Sequence, residues 1–420
     1  MYDQLQAVVD AAGIWNGSRQ TSHAFLLSPS VFQITEAQRV ELQRLGLALN
    51  DCLLGLSHIA VIAYDPSLNY TGAWRVARKV FSTGVPKIYQ ELQGMNIKHI
   101  PKLLKVDLMV DQAGNFKIAE VDGHNKHGLG YSTLGKRFRQ ALYPDARVLP
   151  GAVSLLVKEV ARLGYDHLKL FYADQERFYI PEFEVARDEF AAEGGTVLLL
   201  PEMMTNISMV QDGLFLDLPF LYQQTNLYDH IIAAYKAGEV GFIIPPKPFL
   251  GAKGVLALLR NDEHDEELEA LLRSFIKPKS LELVRQYIPE TLLVGQLAAS
   301  SDTVRTLVAQ KNYVLKESIS SGMKGTVFSG ESEFEQALKI ASNANMNWIL
   351  QEEVVNQPQS FSWYEANGSR PPTLRTADDW FMRVTVQYVG HQLADVIVTA
   401  RRDKAVHGAK DCIQIGTVVV

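Results

Sequence analysis

The stretch from Lys105 to Asn125 constrains this chain more than any other, because few backbones accommodate its rhythm. Its two arms alternate apolar with polar or charged residues at period 2, and Asp111-Gln112-Ala113-Gly114-Asn115 between them supplies turn chemistry. That pattern predicts a β-hairpin. Glu120 and Asp122 have the same parity and so project from one face of the second arm. With a turn centred on Ala113 and Gly114, Asp107 falls opposite Glu120, with Cβ atoms about 4.5–5.5 Å apart. Three carboxylates on one sheet face repel one another, which calls for a cation between them. Mg²⁺ suits that demand, because it takes one or two carboxylates plus phosphate oxygens. Taken alone, the same row also reads as a solvated hairpin face. If it is a metal site, neutralising Glu120 relieves repulsion and leaves the metal-free protein as stable as before or slightly more so.

The bulk of the chain narrows the setting. Its 420 residues, 47% hydrophobic and 21% charged, suit a globular protein of two or three domains. No uninterrupted apolar run approaches the ~18–20 residues of a membrane helix. The opening Met1-Tyr2-Asp3-Gln4 lacks the basic and apolar regions of a signal peptide, so no membrane association and a cytoplasmic location are the expectations. Two cysteines, Cys52 and Cys412, argue against a disulfide framework and a cysteine-based zinc site. A net charge of -6 without a long basic run leaves no footprint for nucleic acid. A homodimer is left open.

Thr35-Glu36-Ala37-Gln38 is a capping-box signature, followed by helical spacing from Val40 to Ile59. A second helical segment, Thr71 to Gly94, is interrupted at Gly84-Val85-Pro86. After the hairpin and the Gly-rich loop Gly123 to Gly130, Pro150-Gly151 marks a boundary, and a helix from about Ala152 ends at Gly164. A β-α-β unit follows: strand His167 to Tyr172, helix Ile180 to Glu193, strand Thr196 to Leu200. It has no G-x-G-x-x-G fingerprint and so gives no dinucleotide site. Leu214 to Tyr222 reads as another strand. The last third then runs strand (Asn312 to Lys316), Gly/Ser loop (Ser318 to Gly325), strand (Thr326 to Phe328), helix (Ser332 to Ala341) and strand (Trp348 to Val354), with two more strands at Asp379 to Tyr388 and His391 to Arg401.

Three groups of residues in the part from about residue 246 onward, or at its edge, carry chemistry. Lys316 ends a strand just before a loop holding Ser321, Gly322 and Gly325, where backbone N–H groups and a lysine can meet phosphate oxygens. Gln351, Glu352 and Glu353 lie on a strand whose backbone and carboxylates can read an adenine amino group or ribose hydroxyls. Lys247 or Lys253 offers a second phosphate-facing cation. Each alone is also compatible with a hairpin turn, a half-exposed strand or a surface lysine.

Together these residues resemble the carboxylate–amine ligases of the ATP-grasp superfamily, and in particular the circularly permuted, glutathionylspermidine synthase-like branch. There the acidic metal strands precede the nucleotide-gripping strands, as Asp107, Glu120 and Asp122 precede Lys316 here. The branch's Arg-x-Asp and Glu-x-Asn motifs read Lys105-x-Asp107 and Glu120-x-Asp122 in this chain. Lys105 cannot make the planar fork of an arginine, which bears on the acyl substrate. Glu176 to Glu182 and Leu216 to Tyr222 are similar to the small α/β domain that precedes the grasp.

The resemblance implies an α/β fold in three parts. These are 1–150, a helical region leading into the hairpin; 151–245, a small α/β domain; and 246–420, the nucleotide-gripping portion. It also implies ATP and Mg²⁺, with the ion on Asp107, Glu120 and Asp122 and the phosphates on Lys253 and Lys316. Arg401 or Arg402, with Lys105, would meet the charge that develops in the reaction. The implied activity is amide formation between a small-molecule or peptide carboxylate and an amine, through an acyl phosphate. A phosphotransferase acting on a hydroxyl and a non-catalytic nucleotide-binding scaffold are the rivals. The loop from Gly123 to Tyr131, with His124 and His127, is the candidate for the acyl-acceptor side.

Overall fold

A computed structural model describes residues 1–14, 25–65, 67, 71–219, 226–295, 300–320, 325–344, 347–367, 370–408 and 411–420. It is a mixed α/β architecture with three sheets among the described residues. The central sheet is assembled from both ends of the chain. Its order is β1 (Phe32–Ile34), β15 (Ile413–Val419), β14 (Gln392–Arg401), β13 (Arg370–Val389), β2 (Leu103–Val110) and β3 (Phe116–Asp122). A further strand, β12 (Gln359–Asn367), pairs with the first half of β13. All these pairings are antiparallel except β1 with β15.

The hairpin forms where the alternation predicts it. Asp111 closes the turn by accepting from the backbone N–H groups of Ala113 and Asn115 (2.9 and 2.8 Å), and Gly114 takes the left-handed φ of 84° the turn requires. Asp107 pairs with Glu120 and Lys105 with Asp122, as the centred turn requires, and a bulge follows between Asp107 and Leu108. Their alternate neighbours Val106, Leu108 and Val121 are buried in the central core, as is Ile118, which the bulge brings to that face opposite Leu108. The arms therefore separate an apolar face from a charged one.

A second, antiparallel sheet follows the order β10 (Thr326–Phe328), β9 (Tyr313–Glu317), β11 (Trp348–Glu352), β8 (Thr291–Val294). Helix Phe334–Asn343 packs on it through Phe334, Leu338 and Ala341. The third sheet is parallel, in the order β5 (Val197–Pro201), β4 (Leu168–Tyr172), β6 (Gly213–Phe215), β7 (Val240–Phe242). Helix Ile180–Ala192 makes the crossover from β4 to β5. The strand expected from Leu214 to Tyr222 is shorter, because pairing with β4 and β7 stops at Phe215; residues 220–222 lie outside the described residues.

Helix Glu36–Ala63 starts on the capping box that its sequence announces. Thr35 Oγ1 accepts from the Gln38 N–H at 3.2 Å, and Gln38 Oε1 accepts from the Thr35 N–H at 2.9 Å. By length and composition this helix could cross a membrane, which a search for uninterrupted apolar runs overlooks because Asp51 divides it. Here Leu42, Leu45, Leu49, Leu53 and Leu56 are buried in the central core, and Tyr388 of β13 donates to the Leu42 carbonyl at 2.8 Å. The apolar run Val255 to Leu259 is helical too, within Gly254–Arg260.

Helix Leu129–Leu142 crosses β15 closely enough that two glycines meet. A Cβ at Gly416 would lie 2.4 Å from the Gly135 carbonyl oxygen, a backbone atom that cannot rotate away. Gly416→Ala should therefore separate helix from sheet and cost about 1–3 kcal/mol, the usual penalty of overpacking. Urea denaturation checks this, and an unchanged midpoint would show that the contact is not rigid.

Candidate active site

Paired strands place six polar side chains on one face. Lys105 and Asp107 on β2 stand opposite Asp122 and Glu120 on β3, while Gln387 and Thr385 on β13 stand opposite Lys105 and Asp107 on the other side. Half-buried carboxylates this close must be compensated, and each finds a cation from a different segment. Lys105 Nζ lies 2.9 Å from Asp122 Oδ2; Lys253 Nζ lies 3.0 Å from Glu120 Oε1; Arg383 Nη1 lies 3.2 Å from Asp107 Oδ2. Thr385 also donates to Asp107 (2.6 Å) and Asn125 to Asp122 (2.7 Å). Burial would raise Glu120, but Lys253 and then Lys316 outweigh it and hold the carboxyl below its ordinary value. Asp122 is likewise held well below the carboxylate range, with Lys105 outweighing burial.

This compensation corrects the expected metal trio. Among the described residues no three His, Cys, Asp or Glu side chains converge on a point where they could hold an ion together. Asp122 is turned toward Lys105, Asn125 and His124, because those groups supply its charge and hydrogen bonds. Asp107 and Glu120 remain as a facing pair.

Two cavities meet at that pair. One, of about 150 Å³, lies between the central and second sheets, with Met109, Val314, Phe328, Phe381 and Val406 among its apolar lining and Lys316, Gln351, Glu352 and Glu353 at its polar side. The other is a polar chamber of about 550 Å³ lined by Lys105, Asp122, His124, His127, Glu176 and Asp217 among others. Asp107, Glu120, Lys253, Thr326 and Arg383 line both. The junction of slot and chamber is therefore a band of two carboxylates and two cations. Arg383 Nε, buried and without a hydrogen-bond partner among the described residues, is a donor left over for an anion.

The remaining candidates sort by what they touch. Lys316 Nζ donates to Gln351 Oε1 at 2.6 Å and to the Ala119 carbonyl at 3.2 Å, tying the second sheet to β3. Burial pushes this ammonium down to about 8. Gly325, with φ 67° and its carbonyl accepting from the Glu317 N–H at 2.8 Å, closes the loop beside Thr326; Ser321 and Gly322 lie outside the described residues. Of the two alternative lysines, Lys253 is at the junction. Lys247 is 0% exposed and donates to Ser57 Oγ and the Asn96 carbonyl, so its role is in the core.

Neither Arg401 nor Arg402 lines the slot or the chamber. Arg401 is held by Asp411 (3.0 Å), and Arg402 pairs with Asp379 and stacks over Trp363, because both sit where β14 leaves the sheet. The arginine that enters the site is Arg383, which the sequence reading passed over. Its mark was available: Phe381, Arg383, Thr385 and Gln387 share parity on a strand whose alternate residues Met382, Val384, Val386 and Tyr388 are apolar and buried.

The Gly123–Gly130 loop is pinned to the small α/β portion. Lys126, fully buried, reaches Glu176 (2.8 Å) and Asp217 (3.2 Å), and Glu182 accepts from the backbone N–H groups of Gly128 and Gly130. His127 stacks on Tyr179 with ring centroids 3.8 Å apart. His124 and His127 both line the chamber.

No protein-family model and no curated protein matches this chain. Solved structures give remote likenesses. A protein from Methylobacillus flagellatus, provisionally named a gamma-glutamylcysteine synthetase, aligns over 84% of each chain with 11% identity and a TM-score of 0.33. A RimK domain ATP-grasp protein from Sphaerobacter thermophilus aligns over 60% of this chain and 89% of its own, with 13% identity and a TM-score of 0.24.

The Lys253–Glu120 contact reverses the stability expected for Glu120→Gln. Removing the carboxylate leaves a buried ammonium without its counter-ion, which should cost about 1.5–3 kcal/mol at neutral pH. Because the folded-state carboxyl is held below its ordinary 4.5, its contribution is present above that pH and lost as the pH falls through the lower folded value. Thermal denaturation should therefore show a gap between wild type and Glu120→Gln that is full at pH 7 and closes as the pH falls below the ordinary carboxylate value and through the lower folded one. Equal melting temperatures at pH 7 would remove the ion pair from the account.

Proposed function

We propose that this chain is an ATP-dependent carboxylate–amine ligase of the ATP-grasp type, built in the permuted order. The observation that carries the reading is the junction: an apolar slot between two sheets opens into a large polar chamber across Asp107, Glu120, Lys253 and Arg383. A nucleotide needs that succession, with apolar walls for the base, cations for the phosphates and a separate space for the group that receives the phosphoryl. The acidic strands β2 and β3 precede the lysine strand β9 in the chain yet border the same slot, which supports the permuted order.

In this reading the base lies between Met109, Val314, Phe328 and Phe381, beside Gln351, Glu352 and Glu353. Lys316, Lys253 and Arg383 neutralise the phosphates, Arg383 through the Nε that has no partner in the described structure. Asp107 and Glu120 are the donors that would hold Mg²⁺, a set that fits because this ion needs only one or two carboxylates beside phosphate oxygens. When bound, the ion supplies charge neutralisation along the phosphates. A carboxylate held in the chamber attacks the γ-phosphorus, giving an acyl phosphate and ADP. An amine then forms the C–N bond as the C–O bond to phosphate breaks.

ADP release screened against amino acids, small peptides and polyamines tests this reading. It requires release that depends on both an acid and an amine. Release with a hydroxyl acceptor alone indicates a phosphotransferase, and nucleotide binding without any release a scaffold.

Lys316→Ala should weaken ATP binding about tenfold or more, the worth of a charge-assisted contact. Wild-type affinity should also fall as the pH rises through about 8, where Lys316 loses its proton, and the variant should lack that step. Calorimetric titration at pH 7 and 9 checks both, and equal affinity in the variant removes Lys316 from the site.

A second comparison separates the arginines. Arg383→Gln should lower acid- and amine-dependent ADP release about 10²–10³-fold, as loss of an oriented donor does, whereas Arg401→Gln should stay near wild type. The opposite ranking would restore Arg401 to the reacting phosphate.

A further inference from the structure

The chamber wall formed by the loop after β3 and the small α/β portion carries an imbalance of its own. Lys126, Glu176 and Asp217 are all buried, so one ammonium faces two carboxylates. His127, whose Nε2 lies 3.3 Å from Glu176 Oε1, does not supply the missing charge: burial pushes its imidazole down to about 4, against the pull of Glu176. Lys105 contributes at longer range and is already held by Asp122. Burial and the neighbouring Glu176 raise the Asp217 carboxyl despite Lys126, as expected where two acids share one base.

Hydrogen bonding gives a second, independent indication. Lys126 Nζ lies 3.2 Å from Asp217 Oδ1 but directs its hydrogen bond to Oδ2 at 3.5 Å, so Oδ1 accepts none from the described residues, although Asp217 is only 2% exposed. Gln387, 1% exposed and lining the same chamber, is in the same state. Its Nε2 donates to the Gly128 carbonyl at 3.2 Å, which fixes the amide's orientation, and its Oε1 has no partner among the described residues. Both unfilled positions are acceptors. Buried acceptors carry a cost unless a donor meets them, and a ligand that brings several N–H donors and a positive charge fills both needs.

We propose that Glu176 and Asp217 form the docking site for the protonated primary amine of the second substrate, with Gln387 Oε1 a further acceptor in the same chamber. The assignment rests on the ligase reading and adds to it the chemical class of the acceptor: a compound that arrives as an alkylammonium. The stacked rings of His127 and Tyr179 line the same chamber and offer its carbon chain an aromatic face.

The experiment uses the full chain and two probes at matched ionic strength, 1,3-diaminopropane hydrochloride and tetramethylammonium chloride. Binding is read by calorimetry and by thermal shift. The diamine should bind saturably to wild type, and tetramethylammonium, a cation without N–H donors, should bind at least tenfold more weakly. Asp217→Asn and Glu176→Gln should each weaken diamine binding at least tenfold. Equal binding of the two cations, no diamine binding by wild type, or undiminished binding by a folded variant overturns the proposal. Should neither variant fold, the comparison of the two cations on wild type decides alone. Mg·ADP titration of the same wild-type sample tests the ligase reading separately. Nucleotide binding without diamine binding sinks the ammonium site and leaves that reading; diamine binding without nucleotide binding upholds the site and removes the reading.

Discussion

Everything at this site depends on charge compensation along β3. Glu120 and Asp122 project into the space between two sheets, and Asp107 faces Glu120 across the hairpin. Carboxylates in such a place are tolerable only if cations are delivered to them. The chain delivers Lys105 from the neighbouring strand, Arg383 from the strand beyond it, and Lys253 from the turn that starts a buried helix. Lys316 adds a fourth cation from the second sheet, bonded to the Ala119 carbonyl between the two. Segments far apart in sequence are thus fixed to one another by the acidic row.

The hairpin was legible because its information is local. Period 2 gives the faces, Asp111 and Gly114 give the turn, and from those the Asp107–Glu120 pairing follows. The capping box and the β-α-β unit were legible for the same reason, and the lysine strand because Lys316 ends an apolar run before a Gly/Ser loop. The partners were not legible. Sequence shows three like charges on one face and invites an ion between them; it does not show that Lys253 and Arg383 arrive there from positions 133 and 263 residues or more away from Glu120. Arg401 and Arg402 illustrate the converse. They lie at the strand end where a family likeness looks for an arginine, but Asp411 and Asp379 neutralise them at the sheet margin. Arg383 lies mid-strand, where its parity with Thr385 and Gln387 was the available mark.

The small parallel sheet has a part in the site as well as its own core. Through Glu176 and Asp217 it holds Lys126, and through Glu182 it holds the backbone of Gly128 and Gly130, so the loop after the acidic strand is shaped by the α/β portion. Gly128 takes a φ of 105°, open to glycine but strained for other residues. The chamber is consequently lined both by the central sheet and by loop segments of the α/β portion. Its composition reflects the two sources: the central sheet supplies balanced ion pairs, and the α/β portion supplies an excess carboxylate.

In the proposed reading those balanced pairs explain how a strongly anionic substrate could be admitted without stranding a charge. Lys253 and Arg383 hold Glu120 and Asp107 when no substrate is bound, so neither carboxylate nor cation is left uncompensated in a low-dielectric cleft. Triphosphate with Mg²⁺ offers each member a new partner of the right sign, carboxylates to the ion and cations to the phosphates. The exchange conserves charge pairing at every residue, so desolvation is already met by the fold and binding need only swap partners. Nucleotide without the metal would draw the cations away and leave Asp107 facing Glu120 alone. On that proposal the repulsion, built into the hairpin register, would make nucleotide binding depend on the ion, and it would follow from the same Asp107–Glu120 pairing that the alternation first indicated.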